Sequence, residues 1–345
     1  MKIFQLLLNH LLLIAAIIWL NGCSSQTGPS NTTNSADLDT GMKMTEIPTP
    51  AKVGSEEPNF SVTKDGTAYL SWIETSENEP TKLLFARLKS SVWTSPKLIA
   101  QGDEWFANWA DYPVIAAHPS GLLMAHFLQK SGPEYFSYDV KITVSNDHGD
   151  TWTTPRILHS DGTKTEHGFV SMLPLAKDRF FITWLDGRNT SYGDEMDHGA
   201  MTLRGAFIDQ KGEVIEEVEL DSRVCDCCQT GAAVTSGGPV VVYRDRSEEE
   251  IRDISIVRYV NGNWSKPQPI YSDNWKIAGC PVNGPKAAAR DNQLAIAWFS
   301  ASNNQPKIQV VFSKDGGASF GDPIRVDDGH PLGRVDVVLH RTGSA

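Results

Sequence analysis

Four arginines in this 345-residue chain stand in polar loop sequences where a guanidinium group could bind an anion. The planar guanidinium forms two parallel hydrogen bonds with a carboxylate, so this residue type points to recognition of an acidic ligand. A competing interpretation is that neighbouring acidic residues pair with these arginines and only stabilise long loops. The four candidates are Arg188, Arg244, Arg246 and Arg334.

Two carboxylic acids and an aromatic residue complete the candidate site. Asp111 and Glu166 are candidates for general acid or base, because partial burial raises the pKa of a carboxyl group towards neutrality. Trp109 stands just before Asp111, and an indole ring offers a flat apolar surface on which a sugar can stack. These residue types predict an anionic carbohydrate or another small anionic ligand, either hydrolysed or bound without cleavage.

Four cysteines offer a different chemistry. They are Cys225, Cys227, Cys228 and Cys280. In an exported protein the expected state is two disulfides, such as Cys225–Cys228 with Cys227–Cys280, although the sequence allows three pairings.

A metal site is the alternative use of these cysteines. Thiolates bind Zn²⁺ or Cu(I), and His167 or His330 could add a ligand. The C-x-C-C spacing is not typical of zinc sites. Disulfides are therefore favoured, and we expect neither a metal nor a cofactor.

Repetition along the chain predicts how these residues are positioned. Five runs of alternating apolar residues end in an aromatic residue, at intervals of roughly 55 to 59 residues. The aromatic ends are Trp72, Phe127, Trp184, Tyr243 and Trp298. Period-two alternation bounded by turn residues indicates four strands per unit. The repeat predicts an all-β fold, a six-bladed β-propeller of four-stranded antiparallel blades.

The first and last units set the details of this prediction. In the first unit we expect strands at 59–63, 67–72, 82–88 and 93–99, with a polar loop at 74–81. A sixth unit begins at Gly333, close to the last residue, Ala345. The last blade is therefore expected to be incomplete.

Two segments match the Asp-box pattern Ser-x-Asp-x-Gly-x-Thr-Trp, namely Ser145–Trp152 and, with Ser-Phe at its end, Ser313–Phe320. In such a hairpin the aspartate accepts backbone N–H groups and the glycine takes a positive φ. On these motifs the chain resembles the sialidase and BNR-repeat superfamily of six-bladed propellers. It is also similar to bacterial sialidase-like proteins that share the segments 224–230, 243–246 and 279–285.

The resemblance implies one functional face, built from the loops leading into each first strand and those joining second and third strands. By the family's pattern Arg188, Arg244 and Arg334 bind a substrate carboxylate, with Arg246 as an alternate, and Asp111 or Glu166 is the acid. Two departures stand against sialidase chemistry. The family's Arg-Ile-Pro motif is replaced by Glu56–Phe60, and no tyrosine nucleophile can be assigned.

The N-terminus reads as an export signal. The apolar stretch Phe4–Leu20 leads into Leu20–Cys23, which resembles a bacterial lipoprotein signal with acylation of Cys23. We expect a signal peptide at 1–22, a lipidated flexible linker at 23–50 and the propeller at 51–345. The expected location is the bacterial cell envelope, at the outer membrane, with the lipid as the only membrane contact.

Charge excludes one class of partner. The formal net charge is -11, with acidic and basic residues interspersed. Nonspecific nucleic-acid binding needs a basic footprint, so we expect no nucleic-acid partner. The sequence makes no prediction of oligomeric state.

Overall fold

A computed structural model describes residues 45–191 and 199–340. In these residues the regular structure consists of antiparallel β-strands and one 3₁₀ turn, Ser302–Asn304. The expected signal peptide, the lipidation site Cys23 and most of the expected linker lie outside the described residues. Among the described residues, no helix has the length and apolar character needed to cross a bilayer.

The strands form five separate sheets within one compact unit, Ile47–Ala345. The first sheet contains β1 (Glu56–Val62), β2 (Ala68–Ser76), β3 (Glu79–Lys89), β4 (Val92–Trp93) and β5 (Lys97–Gly102). The second contains β6 (Trp105–Phe106), β7 (Val114–Ala117), β8 (Leu123–Lys130), β9 (Tyr138–Ser145) and β10 (Arg156–Ile157). The third contains β11 (His167–Leu175), β12 (Arg179–Asp186), β13 (Thr202–Ile208) and β14 (Val214–Asp221).

The last two sheets repeat this plan. The fourth contains β15 (Gly231–Thr235), β16 (Gly238–Arg244), β17 (Ile254–Val260), β18 (Asn263–Trp264) and β19 (Gln268–Tyr271). The fifth contains β20 (Lys286–Arg290), β21 (Gln293–Ser300), β22 (Lys307–Ser313) and β23 (Ile324–Arg325). Every neighbouring pair of strands within a sheet is antiparallel, as consecutive hairpins require.

When the short strand β6 is set aside, the second strand of each blade is mostly buried, and these strands are β2, β8, β12, β16 and β21. The five repeat aromatics all lie in these strands, and each is at most 4% exposed. They are packing residues of the blades, as the repeat predicts. The fold is therefore an all-β propeller of antiparallel blades.

The first strands of the blades surround a central channel. Strands β1, β7, β11, β15 and β20 lie side by side in that order. A channel cavity of about 270 Å³ is lined by residues of all five strands and by Asp336. This arrangement brings the loops before the first strands together, which is what positions the candidate site.

The segment 331–340 forms no strand, so the described residues hold five paired blades and an extended sixth segment. Its backbone is anchored where the N–H of Arg334 donates to Oδ1 of Asn283 at 2.9 Å. Asp336 of the same segment reaches the channel cavity. The segment thus lies at the sixth position around the channel that the repeat assigns to it.

Both Asp boxes have the predicted geometry. Asp147 Oδ1 accepts the backbone N–H of Thr151 at 2.9 Å, and Asp315 Oδ1 accepts that of Ser319 at 2.9 Å. Gly149 and Gly317 have φ values of 80° and 84°, in the region that favours glycine. The two hairpins repeat the same bonds on different blades, which confirms the motif assignment.

Two local predictions are wrong. The expected fourth strand at 93–99 is divided between β4 and β5, with residues 94–96 outside any strand. The expected polar loop at 74–81 is mostly strand, because β2 and β3 continue their pairing to Ser76 and Glu79. Polar side chains suit this exposed hairpin end, where Lys82 Nζ lies 2.6 Å from Glu79 Oε2. Polarity therefore marked the solvent-exposed end of a ladder rather than a loop.

Candidate functional site

A turn before the first strand of the second blade places Asp111 at the channel. Oδ1 of Asn108 accepts the backbone N–H groups of Ala110 and Asp111 at 2.8 and 3.0 Å, which fixes the turn. The Asp111 side chain lines the channel cavity although only 2% of the residue is exposed. Its Oδ1 accepts the backbone N–H of Phe169 at 2.9 Å.

Tyr138 joins Asp111 to Glu166. The Tyr138 hydroxyl lies 2.7 Å from Glu166 Oε1 and 3.3 Å from Asp111 Oδ2. A phenol has one hydrogen to donate, so the second carboxyl contact is satisfied when that carboxyl carries a proton and donates to the phenol oxygen. We call Asp111 and Glu166, which share this hydroxyl, the channel carboxyl pair.

Burial makes the channel carboxyl pair unusually basic. It raises the pKa of Asp111 to about 7, although the bonds from Phe169 and Tyr138 oppose the shift. It likewise raises the pKa of Glu166 to about 8, against the Tyr138 hydrogen bond and with repulsion from Asp111 and Asp226. Both carboxyls therefore exchange protons near neutral pH, as general acids and bases do.

Trp109 and Arg334 stand at the edge of the channel. Trp109 is 56% exposed, and the guanidinium carbon of Arg334 lies 3.6 Å from its ring centroid. The same guanidinium donates from Nη1 to the backbone carbonyl of Trp109 at 2.8 Å. One face of the indole is thus occupied by a cation, which also carries positive charge to the channel.

Arg188 is held by acidic partners on its own blade. Its Nε and Nη2 donate to the carboxylate of Asp186 at 2.7 and 2.8 Å, and Nη2 also contacts Glu217 at 2.8 Å. Burial opposes charging, but these carboxylates outweigh it and raise the pKa of Arg188. The guanidinium is therefore engaged in a bidentate protein pair.

Arg244 is a structural residue of the core. It is 2% exposed, and its guanidinium donates to the backbone carbonyls of Asn283, Arg252 and Phe299 at 2.9, 2.6 and 2.7 Å. The guanidinium carbon also lies 4.8 Å from the ring centroid of Trp275. These bonds tie two loops to strand β21 and use donors that a carboxylate ligand would need.

Arg246 is paired within its loop. Its guanidinium contacts Asp226 at 3.1 Å and Glu250 at 2.8 Å. The three-arginine arrangement expected from the resemblance is therefore not assembled here, because Arg188, Arg244 and Arg246 each bind protein acceptors. Arg334 is the member of the set whose guanidinium lies beside the channel residues.

Sequence comparison identifies the family. Residues 69–330, most of the chain, match the BNR repeat-like domain.

This chain belongs to the BNR repeat-like domain family.

No curated protein matches this BNR repeat-like chain at a significant level. Among solved structures it is similar to a protein of unknown function from Dyadobacter fermentans, with TM-score 0.50 and 14% identity over 79% of this chain and 83% of that one. It is also similar to a Hadza microbial sialidase, with TM-score 0.47 and 12% identity over 82% of this chain. The chain spans 60% of the length of that sialidase.

A third solved structure is the alpha-L-arabinanase of Penicillium chrysogenum complexed with arabinobiose. It matches with TM-score 0.49 and 16% identity over 86% of this chain and 89% of that one. At identities this low, the likeness concerns the fold alone.

The four described cysteines of this BNR repeat-like chain lie together near the fourth and fifth blades. Cys227 and Cys280 form a disulfide with their Cα atoms 6.0 Å apart, which is one of the two expected bonds. Cys225 and Cys228 are free and buried, with their sulfur atoms 2.6 Å apart, so the second expected bond is not formed. Burial acts to raise the pKa of the Cys225 thiol, yet contacts with Cys228 and Arg252 lower this pKa to about 7.

Two channel residues were not identified from the sequence. Tyr138 starts β9 and its hydroxyl reaches Asp111, so a polar aromatic at the start of a strand was the available signal. Lys286 starts β20 and lines the channel cavity, where burial lowers the pKa of its ammonium group against the attraction of Asp336. Both lie in strand sequences, where alternation alone does not distinguish packing from function.

Proposed function

We propose that the protein binds an acidic carbohydrate in the central channel and that the channel carboxyl pair acts on its glycosidic bond. The observation that supports this most directly is the sharing of one Tyr138 hydroxyl by Asp111 and Glu166, with pKa values of about 7 and 8. Carboxyls that hold protons near neutral pH are suited to protonate a leaving oxygen.

Within this proposal Asp111 is the general acid. It lines the cavity, and the Phe169 N–H holds its carboxyl in place. Glu166, which has the higher pKa of the two, passes its proton to Asp111 through the Tyr138 hydroxyl, and the carboxylate left behind acts as base towards the hydrolytic water. General acid–base catalysis of this kind contributes about 10² to 10⁴ in rate.

The ligand's negative charge would be recognised by Lys286 and Arg334 rather than by the three arginines first expected. The Lys286 side chain reaches the cavity wall, and Arg334 is attached to Trp109 at its edge. A buried ammonium group gains free energy from an anionic partner, because the partner offsets its desolvation. Trp109 adds a partly exposed aromatic surface for the sugar ring.

The test is a panel of fluorogenic glycosides with acidic and neutral sugars, assayed between pH 4 and 9. We expect release from an acidic glycoside and a loss of about 10² to 10⁴ in kcat/KM for Asp111→Asn. Asp178→Asn is the matched control, because Asp178 is an exposed aspartate with a 52% exposed side chain. Absence of release from every glycoside would contradict hydrolysis.

A second candidate function is binding without cleavage at the same channel. The engagement of Arg188, Arg244 and Arg246 by protein acceptors favours it, since little guanidinium remains to position a substrate carboxylate. A glycan array followed by mass spectrometry of the eluted ligand separates the two functions. Recovery of unaltered glycan, with binding lost in Lys286→Met, would support the binding function.

We also propose that the protein is a lipoprotein of the bacterial cell envelope, anchored at the outer membrane through Cys23. The sequence Leu20–Cys23 after an apolar stretch supports this. Metabolic labelling with a palmitate analogue should mark the wild-type protein and not Cys23→Ala. Equal labelling of the two proteins would contradict acylation at Cys23.

A further inference from the structure

A second polar cluster lies away from the channel, between the second and third blades. His159 follows β10 and His167 begins β11, and their rings stack with centroids 3.7 Å apart and planes inclined by 6°. Asp139 in β9, Asp161 and Asp186 in β12 surround them. We call these five side chains the interblade cluster.

Hydrogen bonds fix the tautomer of both histidines. His159 Nδ1 lies 2.7 Å from Asp161 Oδ2, and His167 Nδ1 lies 3.1 Å from the backbone carbonyl of Thr165. Because both partners are acceptors, each Nδ1 carries a hydrogen, so Nε2 is the ring nitrogen that can offer a lone pair to a metal ion. Neither Nε2 has a hydrogen-bond partner in the described part of the chain, although both side chains are at most 2% exposed.

The lone pair of His167 faces further acceptors. Its Nε2 lies 3.4 Å from Asp161 Oδ2 and 3.7 Å from Asp186 Oδ1. Three electron-rich atoms that face each other in a buried site repel one another unless a cation lies between them. The geometry therefore calls for a positive charge at this point.

The charge balance of the cluster also favours a divalent cation. Its three aspartates face one guanidinium, that of Arg188, which bonds Asp186 at 2.7 Å and lies 3.6 Å from Asp161. Glu217, the other partner of Arg188, is neutralised by Arg204 at 2.8 Å. Two negative charges are left, the number that a divalent ion offsets.

We propose that the interblade cluster binds one divalent transition-metal ion through His167 Nε2, Asp161 Oδ2 and Asp186 Oδ1. Metal–ligand bonds of about 2.0 to 2.2 Å in a tetrahedral zinc site separate neighbouring donors by about 3.4 Å, close to the 3.4 and 3.7 Å found here. The imidazole ligand favours Zn²⁺ and its neighbours over Ca²⁺ or Mg²⁺, which prefer oxygen ligands.

The surrounding contacts match those of a metal site. The carbonyl of Thr165 holds the metal-binding ring of His167, and His159 and Arg188 hydrogen-bond to the two carboxylates. Such outer contacts orient ligands in metal sites generally. A cavity of about 320 Å³, lined by Asp139, His159 and the residues flanking Asp161, lies beside the interblade cluster.

This site differs from the cysteine site considered from the sequence, and its role would be structural. The ion would link the loop after β10 to strands β11 and β12, and so join two blades. The inference does not depend on the proposed function of the channel.

The experiment is zinc binding by purified protein, stripped with EDTA and dialysed against Zn²⁺, with bound zinc measured by elemental analysis. We expect one zinc per chain and a higher Tm with zinc than without it. In His167→Gln and Asp161→Asn we expect zinc affinity to fall by at least about 100-fold. His126→Gln is the matched control, because His126 is equally buried and lies outside the interblade cluster.

X-ray absorption of the zinc-loaded wild type keeps the test decisive if a variant fails to fold. Nitrogen and oxygen neighbours at about 2.0 to 2.1 Å support the proposal, whereas sulfur at about 2.3 Å would assign the ion to the cysteines. Cys225→Ser should retain its zinc. Failure of the wild type to bind stoichiometric zinc, or unchanged binding in His167→Gln, would overturn the proposal.

Discussion

Glu166 and His167 are consecutive residues, yet Glu166 belongs to the channel carboxyl pair and His167 to the interblade cluster. The acids compared in these two groups have pKa values shifted in opposite directions. On the channel side, burial raises the pKa of Asp111 and Glu166 to about 7 and 8. On the interblade side, burial also acts to raise the pKa values of Asp161 and Asp186, but hydrogen bonds from Thr163 to Asp161 and from Arg188 and Trp184 to Asp186 lower both. Successive side chains of a strand point to opposite faces, so neighbours in sequence enter different environments.

The difference lies in the supply of donors. Asp186 accepts from Trp184 Nε1 at 2.7 Å and from the Arg188 guanidinium, whereas the channel carboxyl pair shares one phenol. A buried carboxylate keeps its charge when donors and cations replace the lost water, and it takes up a proton when they do not. Burial alone therefore does not determine the charge state of these acids.

The largest expected effect is a loss of stability as pH rises, caused by the channel carboxyl pair. The pKa of Asp111 in the folded protein lies above its value in the unfolded chain, so its stabilisation is complete below about pH 4 and disappears as pH rises through 7. A shift of about three units corresponds to on the order of 4 kcal/mol. Urea unfolding between pH 4 and 9 measures it.

Asp111→Asn should flatten this pH dependence and be more stable than wild type at pH 8. An amide resembles the protonated acid, because it can still accept the N–H of Phe169. The opposite result would be a wild-type stability that rises from pH 5 to 8 while the stability of Asp111→Asn stays constant. It would show that the Asp111 carboxyl is ionised like those of the interblade cluster.

Removal of the Asp186 carboxylate, in contrast, should destabilise the protein at neutral pH. Asp186→Ala removes the partner of a partly buried guanidinium and of the Trp184 N–H, and should lower the free energy of unfolding by about 3 kcal/mol at pH 7. Chemical denaturation of Asp186→Ala beside the exposed control Asp178→Ala measures the effect. Equal, small losses in both variants would mean that the Arg188 pair contributes little.

Tyr138→Phe sharpens the comparison by removing the hydroxyl donor that the channel carboxyl pair shares. We expect a loss of about 1 to 2 kcal/mol, because a carboxyl loses its buried hydrogen-bond partner. The Tyr138 bond lowers the pKa of Glu166, so its removal should move the pKa further upward. A carboxyl titration followed by NMR or infrared spectroscopy measures this pKa. A lower pKa of Glu166 in Tyr138→Phe than in the wild type would contradict the assignment.

The smallest effect on stability is expected for Trp109→Ala. The indole is 56% exposed and its contact with Arg334 is a surface cation–π pair, so the change in unfolding free energy should be below about 1 kcal/mol. Glycan binding should nevertheless weaken in this variant, as measured by titration calorimetry. Undiminished binding would remove Trp109 from the proposed site while leaving the carboxyl comparison intact.

Much of the fold was predictable because it follows from local patterns. Alternation identified the strands, the spacing of aromatics such as Trp184 identified the repeat, and the two Asp boxes fixed its phase. The same phase predicts that Asp111 and Glu166 lie at the channel. The hairpin end at 74–81 was missed because polar residues occur both in loops and on exposed ladders.

Arginine partners were not predictable in the same way. Arg244 was a ligand candidate from its residue type and phase, but its guanidinium binds carbonyls of Asn283, Arg252 and Phe299. One of these acceptors is 55 residues away along the chain, on another blade. No local pattern records such a contact.

The sequence by itself determined the repeat, the strand order and the position of Asp111 just before a first strand, because these depend on periodicities of a few residues and on a constant unit length. The tertiary structure decided how each charged group is used. It assigned Arg188 and Arg244 to protein partners, left Asp111 and Glu166 with one shared hydroxyl, and turned His167 towards two aspartates. The physical reason is that charge state and ligand affinity depend on burial and on partners from several blades, which meet only when the propeller closes around its channel.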